Sequence, residues 1–189
     1  MKRKRIPTWI LFLAFWMTGP QIHAEGRMFS AGINLLSLLD LGTFEADLGM
    51  GLSRHTSIHV KGIYNPFIWE NTGNDLRHKQ LTWSLQGRYW PWYQFAGWYV
   101  GGKVQHSLYN RSGWKNPQVQ EGTAFGLGAE IGYNWMLNKH LNLEFAAGCW
   151  GGYDRHQTYA TGCCGRLIEQ DKGLFFQPDR FIIGLQYIF

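Results

Sequence analysis

Long apolar runs are missing from this chain: no stretch of its 189 residues approaches 18 uninterrupted apolar positions, which removes the helical membrane proteins. Charge is scarce and unevenly placed. Lys plus Arg number 18 against 13 Asp plus Glu, a formal +5, but four of those bases (Lys2, Arg3, Lys4, Arg5) stand together at the start. Beyond residue 24 the balance is 14 against 13. A nucleic-acid footprint needs a basic patch or stripe; none is left, so no nucleic-acid partner is expected. Helical repeats and low-complexity linkers are also missing. Cysteine occurs three times, at Cys149, Cys163 and Cys164.

Present instead is an export pattern followed by alternation. After the basic cluster come an apolar stretch from Trp9 to Met17, Gly19-Pro20, and Ile22-His23-Ala24. This is the order of a secretory signal, cut after Ala24. Its apolar part is too short to span a bilayer as a helix, which takes about 20 residues. Residues 1–24 are therefore read as a removed signal peptide and residues 25–189 as one domain.

Period-two alternation marks strands near 28–37, 43–53, 57–66, 79–90, 97–108, 123–135, 141–153 and 179–189. Which face is greasy separates two kinds of barrel. A soluble, ligand-carrying barrel turns its apolar face inward, and a membrane barrel turns it toward lipid around a polar interior. Leu81, Trp83, Leu85 and Tyr89 share one parity, opposite Gln80, Thr82, Ser84, Gln86 and Arg88. Phe125, Leu127, Ile131 and Tyr133 alternate likewise with Gly126, Gly128, Glu130, Gly132 and Asn134. Charges and glycines on one face suit a crowded lumen, and large apolar groups on the other suit lipid. The expected fold is all-β, an eight-stranded antiparallel transmembrane up-and-down β-barrel.

The same parity sends Glu45, Asp47, Glu130 and Glu144 inward against Lys61, Arg88, Lys103 and Arg180, with His59 nearby. Unpaired charges in so narrow a bore are costly, so a paired network plugging the lumen is expected. Links near 53–56, 91–96 and 136–140 are short; those near 66–78, 109–122 and 154–178 are long. Such barrels have short periplasmic turns and long outside loops, which puts both termini in the periplasm of a Gram-negative cell. Tyr89-Trp90-Pro91-Trp92-Tyr93, Trp98, Tyr64, Phe67 and Trp69 read as interfacial girdles.

The last strand alternates Phe181, Ile183, Leu185, Tyr187 and Phe189 up to the final carboxylate. It resembles the C-terminal signal of outer-membrane proteins; the resemblance implies recognition of Leu185, Tyr187 and Phe189 by the barrel-assembly machinery. Asn34-Leu35-Leu36, Tyr64-Asn65-Pro66-Phe67, Gly87-Arg88-Tyr89-Trp90, Gly132-Tyr133-Asn134-Trp135 and a cysteine-bearing Gly in the last long loop follow one another in order. Together they resemble a family of small outer-membrane barrels of gut anaerobes known only as a domain of unknown function. That resemblance implies the barrel and lends no activity. Its members space their two loop cysteines apart, whereas here Cys163 and Cys164 are adjacent.

A bridge between Cys163 and Cys164 would be a strained ring, because neighbouring Cα atoms lie about 3.8 Å apart, below the usual disulfide range of about 4.4–6.8 Å. Two free thiols are the alternative. Zinc on this pair with His156 is disfavoured, since structural zinc takes four well-spaced ligands. His106 and Ser107 are consecutive and face opposite sides of a strand, so the His and Ser one residue apart that a lipid A deacylase uses are missing. Asp154, His156 and Asp171 are read as solvated loop residues. No catalytic constellation and no cofactor are expected. The expected function is a non-enzymatic outer-membrane barrel in contact with outer-membrane lipids, playing a structural or interaction role through long outside loops that meet a surface protein or polymer. A lipid-modifying enzyme and a narrow small-solute channel are the alternatives.

Overall fold

The computed structural model of the chain describes residues 28–40, 42–69, 76–112, 118–160 and 166–189. The expected signal peptide, residues 1–24, lies outside them. The alternating segments form β1 (Phe29–Asn34), β2 (Phe44–Ser53), β3 (Thr56–Asn65), a short β4 (Ile68–Trp69), β5 (Leu76–Tyr89) and β6 (Gly97–Ser112). They continue as β7 (Gln118–Met136), β8 (Leu141–Ala160), β9 (Leu167–Pro178) and β10 (Ile182–Ile188). One helical turn, α1 (Leu35–Leu39), interrupts them.

All pairings are antiparallel, in the order β10–β1–β2–β3–β5–β6–β7–β8, and β8 returns to β10. The sheet therefore closes in a ring of eight strands. Ala31 faces Tyr187 at the closing seam, and Leu143 faces Leu185 on the other side of β10. The long β8 holds β10 through Leu141–Ala146 and β9 through Cys149–Tyr159. β9 and β10 thus continue one another along β8 across a break at 179–181. Pro178 has no N–H to give a ladder, and the Asp179 N–H bonds Gly148 O at 2.9 Å beside the break.

The structure corrects several expected boundaries. The first strand ends at Asn34 rather than 37. Asn34 Oδ1 accepts from the Leu36 N–H at 3.0 Å, and Ser37 Oγ donates to Asn34 O at 2.8 Å. An asparagine that caps its own successors starts a helix, and Leu35-Leu36-Ser37-Leu38-Leu39 has no alternation to oppose it. The expected long links 109–122 and 154–178 are largely strand, leaving 113–117 and 161–166 between β6 and β7 and between β8 and β9. Along β9 almost every side chain is exposed, so its sequence lacks the apolar/polar contrast from which alternation is read.

Inside and outside are inverted relative to a water-soluble domain, in which charged side chains are rarely buried. Leu127 is 66% exposed and Ile131 53%, whereas Glu130 between them is 4% exposed. Leu81, Trp83, Leu85, Phe125, Phe181 and Tyr187 also face outward. Glycine makes room inside: a Cβ on Gly128 would stand 2.9 Å from both Lys103 Cε and Trp150 Cβ.

At the end of the ring with the short turns, the lumen is filled. Trp90, Phe95 and Tyr99 are buried at 0–1% exposure, their rings 4.8 Å (Trp90–Tyr99) and 5.8 Å (Trp90–Phe95) apart. Phe95 adopts φ +62 and Gly97 φ +74. A bulky residue rarely takes the left-handed region, and here it turns the link at 90–96 so that Phe95 packs against Trp90 and His59. Trp90 therefore does not belong to the aromatic girdle expected around it. It continues the inward parity of β5, whereas Tyr89, Trp92, Tyr93 and Trp98 are exposed.

Candidate functional site

The ring interior divides into a charge network above the aromatic plug and an open cup at the other end. Glu45, Asp47, Lys61, Arg88, Lys103, Glu130 and Glu144 are all buried, at 2–7% exposure. Alternation on β2, β3, β5, β6, β7 and β8 brings them to one place. Arg88 is the hub. Its Nη1 lies 3.0 Å from Glu144, its Nη2 3.1 Å from Asp47 and 3.5 Å from Glu130, and its Nε donates to Gln86 Oε1 at 3.2 Å. Its guanidinium covers the Tyr99 ring at 4.5 Å from the centroid.

Lys61 bridges Glu130 at 3.4 Å and Glu45 at 3.7 Å, and Lys103 lies 3.9 Å from Glu130. The Tyr99 hydroxyl sits between Glu130 (2.9 Å) and Glu144 (2.6 Å). His59 Nδ1 meets Asp47 at 2.7 Å, and its Nε2 meets Ser57 Oγ at 3.0 Å. A planar five-donor guanidinium is the side chain best able to satisfy several carboxylates at once.

Arg180 stands apart from this cluster. From the break between β9 and β10 it reaches Asp40 at 2.7 Å and donates to Gln80 Oε1 at 2.8 Å. Its neighbour Asp179 joins the network instead, as a partner of Lys103. Asp179, Tyr99 and Phe95 carry no expectation from the sequence, and Trp90 is expected there only as part of a girdle. The inward parity of β5 and β6 reaches Trp90 and Tyr99; Phe95 and Asp179 sit in turns, where parity says nothing.

Above the network lies a cavity of about 390 Å³. Gln80, Gln105, Gln120 and Gln177 line it with amides, and Trp150 and Phe175 with rings packed edge to face at 4.6 Å. Arg111 donates to Gln80 Oε1 at 3.4 Å and covers the Tyr109 ring at 5.1 Å. The Tyr109 hydroxyl meets both oxygens of Asp154, at 2.8 and 2.9 Å. His156 Nδ1 meets Asp154 at 2.7 Å, and Asp171 lies opposite His156 in the β8–β9 register. Asp154, His156 and Asp171 are thus strand neighbours, not separate loop residues.

Ser107 is buried and bonds Thr82 at 2.6 Å, while His106 lies 5.7 Å from the outward-facing Trp83 ring. Cys149 is a free thiol on β8. Cys163 and Cys164 lie outside the described residues. Tyr187 and Phe189 are exposed, with rings 5.0 Å apart, and the Phe189 N–H bonds Phe29 O at 2.9 Å. No helix of the described residues is long and apolar enough to cross a membrane, and they hold no group of three or more His, Cys, Asp or Glu arranged for a metal ion.

These features define a class: an all-β protein whose sheet closes in an eight-stranded ring, apolar outside and ion-paired inside. Residues 10–189 match the family described as "Protein of unknown function (DUF3575)", and the chain belongs to that family. No curated protein matches it.

Proposed function

We propose that this protein is a non-enzymatic outer-membrane β-barrel that crosses the bilayer with its ring strands, keeps its bore closed, and meets a cell-surface partner through the cup end. The inversion of its faces carries this reading. An exterior of exposed Leu, Ile, Phe and Trp around buried charge is stabilised by lipid at about 25 cal/mol for each Å² of apolar surface taken from water. Exposed Tyr89, Trp92, Tyr93, Trp98 and Trp135 near strand ends fit an interfacial girdle. Phe29 and Phe189 meet at the turn end, which supports a periplasmic side for both ends of the described chain. Residues 1–24 serve as the export signal. Leu185, Tyr187 and Phe189 are the assembly signal read by the barrel-assembly machinery.

The plug of Trp90, Phe95 and Tyr99 supports a closed bore over a small-solute channel. Membrane fractionation and cold-versus-boiled gel mobility test the location: the folded protein is expected with outer membranes and to migrate differently once boiled. Recovery as a soluble protein sinks the reading. One observation favours a lipid-modifying enzyme instead, the imidazole of His156 held by Asp154, an arrangement that orients a general base. Lipid A mass spectra from cells with and without the gene are expected to be identical; a mass difference would replace the non-enzymatic reading.

A further inference from the structure

We propose that the cup binds an acidic sugar, a saccharide unit carrying a carboxylate. The proposal rests on the cup end being the face that meets a partner, and it names the chemistry of that contact. Two guanidinium groups converge on one neutral oxygen: Arg180 and Arg111 both donate to Gln80 Oε1, at 2.8 and 3.4 Å. Arg180 has a counter-charge in Asp40 at 2.7 Å. Arg111 has no carboxylate within ion-pair distance among the described residues. The other cup carboxylates are engaged, Asp179 by Lys103 and Asp154 by Tyr109 and His156. Among the described residues the Arg111 guanidinium thus makes no direct ion pair and stands beside a second guanidinium.

A carboxylate is the anion that fits. Its two oxygens accept the parallel N–H pair of a guanidinium. A phosphate dianion would set a second negative charge near Asp40, Asp154 and Asp179, which already stand at the cup. The remaining walls suit a hydroxylated ring. Gln105, Gln120 and Gln177 each offer a donor and an acceptor to vicinal hydroxyls, and Trp150 with Phe175 gives an apolar surface for the C–H face of a pyranose. A volume of about 390 Å³ falls at the lower end of the range of about 300–1,000 Å³ for small-ligand sites.

The test is calorimetric titration of the detergent-folded full chain with D-glucuronate, with D-glucose and with a short oligoglucuronate. Saturable binding of a glucuronate probe is expected, with D-glucose weaker by about tenfold or more, the scale of one charge-assisted hydrogen bond. Binding of the monosaccharide points to a free sugar acid, and binding of the oligomer alone to the end of a surface polymer. Arg111→Gln is expected to remove the preference for the acid, and Arg111→Lys to keep part of it. Arg111 is exposed at the rim, so both variants are expected to retain the gel-mobility shift of a folded chain. Equal affinity for glucose and glucuronate, or no saturable binding of either uronate up to about 10 mM, overturns the site. If that happens while the protein still fractionates with outer membranes, the location stands and the ligand assignment falls.

Discussion

The two ends of the ring solve opposite problems. At the turn end every strand has a partner on both sides and the interior is closed. Trp90 donates to Ser57 at 2.8 Å, Asn142 to Phe95 O at 2.6 Å, Asn134 to Gln186 at 2.6 Å and Gln186 to Ser30 at 3.1 Å. Backbone bonds from Trp90 to His55, Gln94 to Arg54 and Ile188 to His140 tie neighbouring turns together. At the cup end β6, β7 and β8 run on past the ring, and β9 pairs only with β8. Its side chains are mostly exposed on both faces, Leu174 at 89% and Phe176 at 78%. Local stability follows buried contacts and protected hydrogen bonds. The turn end is therefore the fixed half, and the cup end is the half free to receive something.

Substitutions that treat the two ends alike would break this contrast. The largest effect is expected from Arg88→Ala, which strands Asp47, Glu130 and Glu144 without their shared guanidinium. Removing one partner of a buried ion pair costs about 3–5 kcal/mol, to be read from denaturant unfolding in detergent. A loss under about 1 kcal/mol would mean that the network contributes no stability.

Trp90→Ala is expected to cost about 3–4 kcal/mol by leaving a cavity. In planar bilayers it should also raise solute leakage, which the Arg111→Gln variant should not. Next comes Gly126→Ala. A Cβ there would run into Gly151 O and stand 2.9 Å from Gly152 Cα, so β7 and β8 must part. About 1–3 kcal/mol is expected, the usual cost of overpacking, with slowed backbone-amide protection along 124–128 and 150–154 lost in hydrogen exchange. Arg111→Gln should be the smallest, within about 0.5 kcal/mol as for exposed sites generally. A large destabilisation by Arg111→Gln would make the cup a structural element like the plug and remove the distinction between the ends.

The fixed half was largely legible in the sequence and the receptive half was not. Parity alone sends Glu45, Asp47, Lys61, Arg88, Lys103, Glu130 and Glu144 to one side, because within the ring every second residue meets a different medium. Extended by one residue, it also reaches Trp90. Past the ring both faces of β8 and β9 meet similar surroundings, so Glu169, Gln170, Asp171 and Lys172 follow one another without contrast and read as a loop. Asn34 was ambiguous in a different way. Its position fits a strand, but its amide reaches forward to cap α1 and also donates to Glu45 at 2.9 Å. Arg180 keeps the inward parity counted back from Phe189, but from the break at 179–181 it reaches Gln80 and Asp40 at the cup and not the network below.

The seam at which β10 meets β1 sets a condition on how the chain reaches its final shape. Ser30 pairs with Ile188 and Ile33 with Leu185, contacts that join the two extremes of the ring. Bringing such distant segments together carries a loop-closure entropy and slows the search. Until they meet, both bear a bare backbone edge beside apolar side chains, a template for pairing with other chains. Closure is thus a late step, and the unfinished sheet must be kept from its own copies. A chain cut before Ile182 would leave β1 and the lower part of β8 both without a neighbour, and is expected to aggregate instead of forming a seven-stranded ring.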